Sequence, residues 1–133
     1  MMLISLIFFI LASISNAVMD TCSHHFSNSV FSKLNPKFWD ATISWMNKYV
    51  DGNPSKGIRK LFWIINFPVQ LTDAWHMFKS LMIIFICASI ATFKGYTIYY
   101  FEYEWLNIAI AIIVYGTTWN LFFSLYYGYI FKK

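Results

Sequence analysis

The chain has 133 residues and a formal net charge of +4, and it is 59% hydrophobic, 22% aromatic and only 12% charged. Soluble globular domains carry roughly 25% charged residues, so this balance excludes an ordinary water-soluble domain and calls for long apolar segments. The lysines collect in one inter-segment region and at the C-terminus, where they act as a topology signal, and nucleic acid is not an expected partner.

Residues 1–17 form an apolar run that fits either a cleaved signal peptide or a first span. Ser15, Asn16 and Ala17 offer small residues for cleavage, but no Lys or Arg precedes the run. Continued through Val18 and Met19 it is long enough to cross a bilayer, and a retained helix over about 2–19 is the favoured reading.

The segment 20–72 carries most of the charge, with Lys33, Lys37, Lys48, Lys56, Arg59 and Lys60 against Asp20, Asp40 and Asp51. After Asn35-Pro36, the residues Phe38, Trp39, Ile43, Trp45, Met46 and Tyr49 fall on a broad helical stripe, which predicts an interfacial amphipathic helix. The turn-rich string from Asp51 to Gly57 should end it near Val50. The apolar run 61–71 is too short to cross and is broken by Pro68, so a re-entrant or interfacial piece is expected.

Thr72 can then cap a new helix with its hydroxyl, and Asp73 suits the positive end of the helix dipole. That helix would run over 73–93, with Asp73, His76 and Ser80 on one face. A short connection follows, whose tyrosines and Trp105 read as an aromatic belt, and in which Glu102 and Glu104 are solvated. The last span covers about 105–131 and ends in Lys132-Lys133. Along it Gly116, Asn120, Ser124 and Gly128 repeat every four residues, a helix-packing stripe for contact within the chain or with a second copy.

The basic loop and basic C-terminus belong in the cytoplasm, which three spans accommodate with the N-terminus outside. The expected fold is therefore all-α: a single multi-pass domain of the cell membrane, with about three transmembrane helices and a cytoplasmic amphipathic helix. Its first partner is the lipid bilayer.

The string Asn35-Pro36, then Ser44-Trp45-Met46-Asn47-Lys48-Tyr49, then Gly52-Asn53-Pro54 with Gly57, then Thr72-Asp73-Ala74-Trp75-His76, resembles a family of small uncharacterised membrane proteins of bacteria and their phages. The resemblance covers roughly positions 35–80. It implies a membrane location and singles out the same residues, without implying a reaction.

Cys22 and Cys87 are far apart and form no metal or disulfide framework. The chemically richest set is His24, His25, Asp73 and His76, with Asp20 one turn before His24. If the first span ends near Asp20 and the second begins near Asp73, these residues share one leaflet and offer ligands for zinc or a similar divalent metal. Such a metal would activate water against a lipid ester or phosphate. No chain order suited to a Ser/His/Asp nucleophile is apparent.

Two function classes follow. One is an accessory or membrane-modifying protein that acts by helix packing, as a homo-oligomer or with a membrane partner; a phage lysis protein belongs here. The alternative is a metal-dependent membrane enzyme acting on a lipid head group. A small transporter using Thr117, Thr118 and Asn120 is a third option.

Overall fold

In the computed structural model, which describes residues 2–93 and 102–133, three long helices are joined to a cap of short elements. Helix α1 spans Met2–His24, α4 Ala74–Thr92 and α5 Glu104–Leu125, and all three are long and apolar enough to cross a membrane. The last turn of α5 widens into a π-helix over Tyr126–Ile130. This extends the apolar helix to 27 residues, or about 40 Å at 1.5 Å per residue. The connection 94–101, with Tyr96, Tyr99 and Tyr100 of the expected aromatic belt, lies outside the described residues.

Helix α1 continues beyond the expected end at Met19 because nothing in Asp20 to Ser23 breaks it. Thr21 donates back to the Ala17 carbonyl at 2.7 Å, which satisfies its hydroxyl inside an apolar turn. His24 then closes the helix at its negative end.

Helix α1 is also the centre of the bundle. Ser5, Ala12, Ser13, Ser15, Ala17, Val18, Met19, Thr21 and Cys22 are buried along it, and mostly small side chains let neighbouring backbones come close. Helix α4 packs antiparallel to α1, as the pairing of Ser5 with Ser89 and the clustering of Val18 and Cys22 with Ala74 require, and α5 packs parallel to it, as the pairings of Ser5 with Tyr115 and of Ser13 with Trp119 require. Ser5 donates to the Ser89 carbonyl at 2.7 Å, lies 3.0 Å from the Ser89 hydroxyl and 2.8 Å from the Tyr115 hydroxyl, and accepts at its own carbonyl from Ser89 at 2.9 Å. One polar layer thus joins all three helices.

The cap between α1 and α4 differs from the expected single amphipathic helix. It is divided into α2 (Pro36–Trp39), α3 (Ala41–Ser44) and a 3-10 turn over Trp45–Lys48. The break is at Asp40, whose backbone is extended (φ −84°, ψ 104°) and whose carboxylate accepts from the Thr42 N–H at 2.9 Å and the Thr42 hydroxyl at 2.6 Å. Asp40 serves as an N-cap, and a capping residue leaves the helical conformation. The apolar stripe read across it is therefore divided.

Residues 61–71 also depart from a purely helical fold. Strand β1 (Lys60–Leu61) pairs antiparallel with β2 (Ile65–Asn66), in register Lys60 to Asn66 and Leu61 to Ile65. A 3-10 turn over Val69–Leu71 follows and leads into α4.

Cap, bundle and C-terminus meet in one core. Val18, Cys22 and Ala74 are buried at its centre, with Phe31, Phe38, Trp39, Phe78 and Phe131 packed around them. Phe31 stacks on Trp39 and meets Phe131, with ring centroids 5.0 Å apart in both cases. The tail is pinned to the cap by Val30 N–H to the Phe131 carbonyl and by Lys133 N–H to the Asn28 carbonyl, each 2.9 Å. The C-terminal end of α1, the start of α4 and the end of α5 therefore lie at one end of the bundle.

Candidate functional site

At that end, Asp73 is the N-cap of α4, in place of the expected Thr72. Its backbone is fully extended (φ −159°, ψ 163°) and its Oδ1 accepts from the His76 N–H at 2.9 Å. Thr72 instead directs its hydroxyl to the Val69 carbonyl at 2.7 Å, with Asp73 Oδ2 a longer second acceptor at 3.0 Å. Pro68 and the turn after it bring Thr72 into this tight conformation, which moves the cap one residue along.

The same carboxylate holds the His76 ring. Oδ2 lies 2.7 Å from Nδ1, so His76 is bound to Asp73 through both its main chain and its side chain. Asp73 is 1% exposed and the His76 side chain 24%. A buried carboxylate on Nδ1 fixes the orientation of an imidazole and leaves Nε2 as the nitrogen available to a proton or ligand. Trp75 packs edge-on to the His76 ring at 5.0 Å, and Lys79 lies over Trp75 at 4.8 Å.

Ser23, Ala41, Trp45, Asp73, Trp75 and His76 line a pocket of about 330 Å³. Its walls come from the last turn of α1, the cap and the first turn of α4. Asn47 supports the junction by donating to the Thr72 carbonyl at 3.0 Å and to the Lys37 carbonyl.

The structure brings together two of the four residues expected as metal ligands. His24 is exposed at the end of α1, and His25 packs against the Tyr127 ring at 5.3 Å. Successive helical residues point about 100° apart, so Ser23 lines the pocket whereas His24 and His25 do not. Among the described residues no three His, Cys, Asp or Glu side chains are grouped to hold a metal ion. Asp73 and His76 supply one bound carboxylate and one free ring nitrogen, which is a carboxylate-oriented imidazole rather than a closed ligand set. Ser23 was not singled out from the sequence. The only signal for it was that the end of α1 and the start of α4 would meet at one level, which selects a turn and not a face.

The helix-packing stripe has a different setting. Gly116, Asn120, Ser124 and Gly128 are all exposed, and a Cβ added at Gly116 or Gly128 would meet nothing within 4 Å. Helix α5 turns Tyr115 and Trp119 toward α1 instead, where Phe9 contacts both rings at 5.0 and 5.3 Å. Among the described residues, packing within the chain therefore does not use the stripe.

No family model, curated protein or solved structure matches this chain. The Asp73-His76 pocket and the exposed face of α5 are two places in the described residues that offer a binding surface.

Proposed function

We propose that this chain is an integral three-span protein of the cell membrane that acts without catalysis, as an accessory or membrane-modifying protein whose α5 packs against another transmembrane helix. The observation that carries this reading is the outward stripe of Gly116, Asn120, Ser124 and Gly128. Small residues let a second backbone approach closely, and an Asn amide across such a contact contributes about 1 kcal/mol. The occupant is a second copy or a different membrane protein. Oxidative cross-linking in native membranes tests it, with a cysteine introduced at Asn120 or, as a control on another exposed face of α5, at Leu125, in a Cys87→Ser background where the remaining Cys22 is buried. The reading expects a discrete cross-linked product from Asn120→Cys and none from Leu125→Cys. The same faint product from both positions would refute it.

A second reading is favoured by the Asp73-His76 pair: acid–base or metal-assisted chemistry on a lipid head group. Asp73 would orient the imidazole, Nε2 would exchange the proton or bind the metal, and the pocket would admit a polar head group. Metal content and head-group release by the purified protein, compared with His76→Ala, test this reading. Equal release by both, with no metal lost in the variant, would remove it.

A further inference from the structure

The hairpin of β1 and β2 ends in a tip that stands exposed, with no covering contact among the described residues. Phe62 is 76% exposed, Trp63 92%, Ile64 84% and Ile65 63%. Four consecutive large apolar side chains held out from a folded surface mark a contact site rather than ordinary surface composition.

The backbone supports the same conclusion. Phe62 and Trp63 have φ of 51° and 67°, in the left-handed region. Asn-Gly or a similar pair suits a hairpin turn that needs positive φ, and bulky residues there are strained. Two of the bulkiest side chains are kept where the turn disfavours them, so the turn serves to present them. The base that presents them is well held. Arg59 N–H donates to the Lys48 carbonyl at 2.9 Å, Phe67 N–H donates to the Arg59 carbonyl at 2.7 Å, and Tyr49 bridges to Ile58.

The surrounding charge identifies the partner. Residues 45–71 contain Lys48, Lys56, Arg59 and Lys60 and one carboxylate, Asp51, which Lys56 already engages at 2.8 Å. Arg59 lies over the Phe67 ring at 4.9 Å, and Lys60 flanks the tip. Aromatic and branched aliphatic side chains beside uncompensated cations suit the head-group and upper acyl region of a bilayer containing anionic lipid. Ile65 is nine residues from the first residue of α4, a reach of at most about 30 Å, so the tip lies within reach of the membrane that α4 would enter.

We propose that the 60–66 hairpin is an interfacial anchor, with Phe62, Trp63 and Ile64 immersed in the same bilayer that the helices cross and Arg59 and Lys60 on anionic head groups. This rests on the membrane reading above, and it adds a fourth point of lipid contact on the cap.

The test uses the full chain reconstituted in vesicles of mixed phosphatidylcholine and phosphatidylglycerol. An environment-sensitive dye is placed at Trp63→Cys, in a Cys87→Ser background where the remaining Cys22 is buried. A second sample carries the dye at Ile112→Cys on α5. The proposal expects blue-shifted emission at position 63, quenched most by nitroxides near the head groups and independent of protein density, with a smaller shift when Arg59→Gln and Lys60→Gln are added. As a check with native side chains, brominated lipid should quench wild-type tryptophan emission more than that of Trp63→Phe. Water-like emission at 63 with a hydrocarbon-like signal at 112 overturns the anchor alone. A water-like signal at 112 as well overturns the membrane reading. A shift at 63 that grows with protein density overturns the lipid assignment in favour of a second copy.

Discussion

Replacing Asp73 by Ala should be the most damaging single change at the head of α4, and the size of its effect follows from the hydrogen bonds. Asp73 Oδ1 caps α4 through the His76 N–H at 2.9 Å, and losing such a cap costs about 1 kcal/mol. Its Oδ2 bonds the His76 Nδ1 at 2.7 Å within a site where the carboxylate is almost fully buried, and a hydrogen bond to a charged group contributes roughly 1.5–3 kcal/mol. Together these predict a loss of about 3 kcal/mol for Asp73→Ala. Asp73→Asn keeps a good N-cap oxygen and gives up only the charge on the ring contact, so about 1 kcal/mol is expected. His76→Ala keeps Asp73 in place but leaves Oδ2 with only a share of the Thr72 hydroxyl, for a cost of about 2 kcal/mol. Equilibrium unfolding in mixed micelles, followed by helical circular dichroism, would measure this series. If Asp73→Ala fell within about 0.5 kcal/mol of wild type, as surface substitutions do, the carboxylate would not be the organiser of this junction.

Three further changes probe other parts of the molecule. Ser5→Ala should cost about 1 kcal/mol, and a double-mutant cycle with Tyr115→Phe should show coupling of similar size, because their hydroxyls meet at 2.8 Å between α1 and α5; additive losses would place the contact elsewhere. Ser44→Ala should be neutral or stabilising by about 1 kcal/mol in thermal unfolding, because the buried Ser44 hydroxyl has no hydrogen-bond partner among the described residues; clear destabilisation would contradict that. The Lys56 ammonium, donating to Asp51 at 2.8 Å, holds the Asp51 carboxyl below its usual range by that hydrogen bond and then by its charge. A depressed folded pKa gives stability that is present above the ordinary carboxylate range and is lost as pH falls through the lowered value. Both groups are exposed, so the contribution is small, and carbon NMR of the Asp51 carboxyl should show its titration returning upward in Lys56→Gln.

The extent of the three apolar helices was legible because length and composition alone decide it; the boundaries moved by a few residues, as α1 shows by running on to His24. The broken cap was less legible. Asp40 reads as a residue on the polar side of one continuous amphipathic helix, and only its bonds to Thr42 reveal that it caps a new helix rather than decorating an old one. The hairpin was hidden for the opposite reason: its turn carries Phe62 and Trp63 at positive φ where a turn signal would be Asn or Gly, so residues 61–71 read as one apolar run.

Legible pattern and unreadable direction separate most clearly on α5. Its four-residue stripe is plain in the sequence, yet which way the stripe faces depends on where α1 lies, and that is decided by Ser5, Ser13 and Phe9 about 100 residues away. At Ser23, His24 and His25 too, the fold chose the face that the sequence left open and selected the serine. A periodic pattern identifies a surface capable of contact, and long-range packing then determines whether that contact is spent inside the chain. Here α1 engages Tyr115 and Trp119, and Gly116, Asn120, Ser124 and Gly128 stay exposed among the described residues.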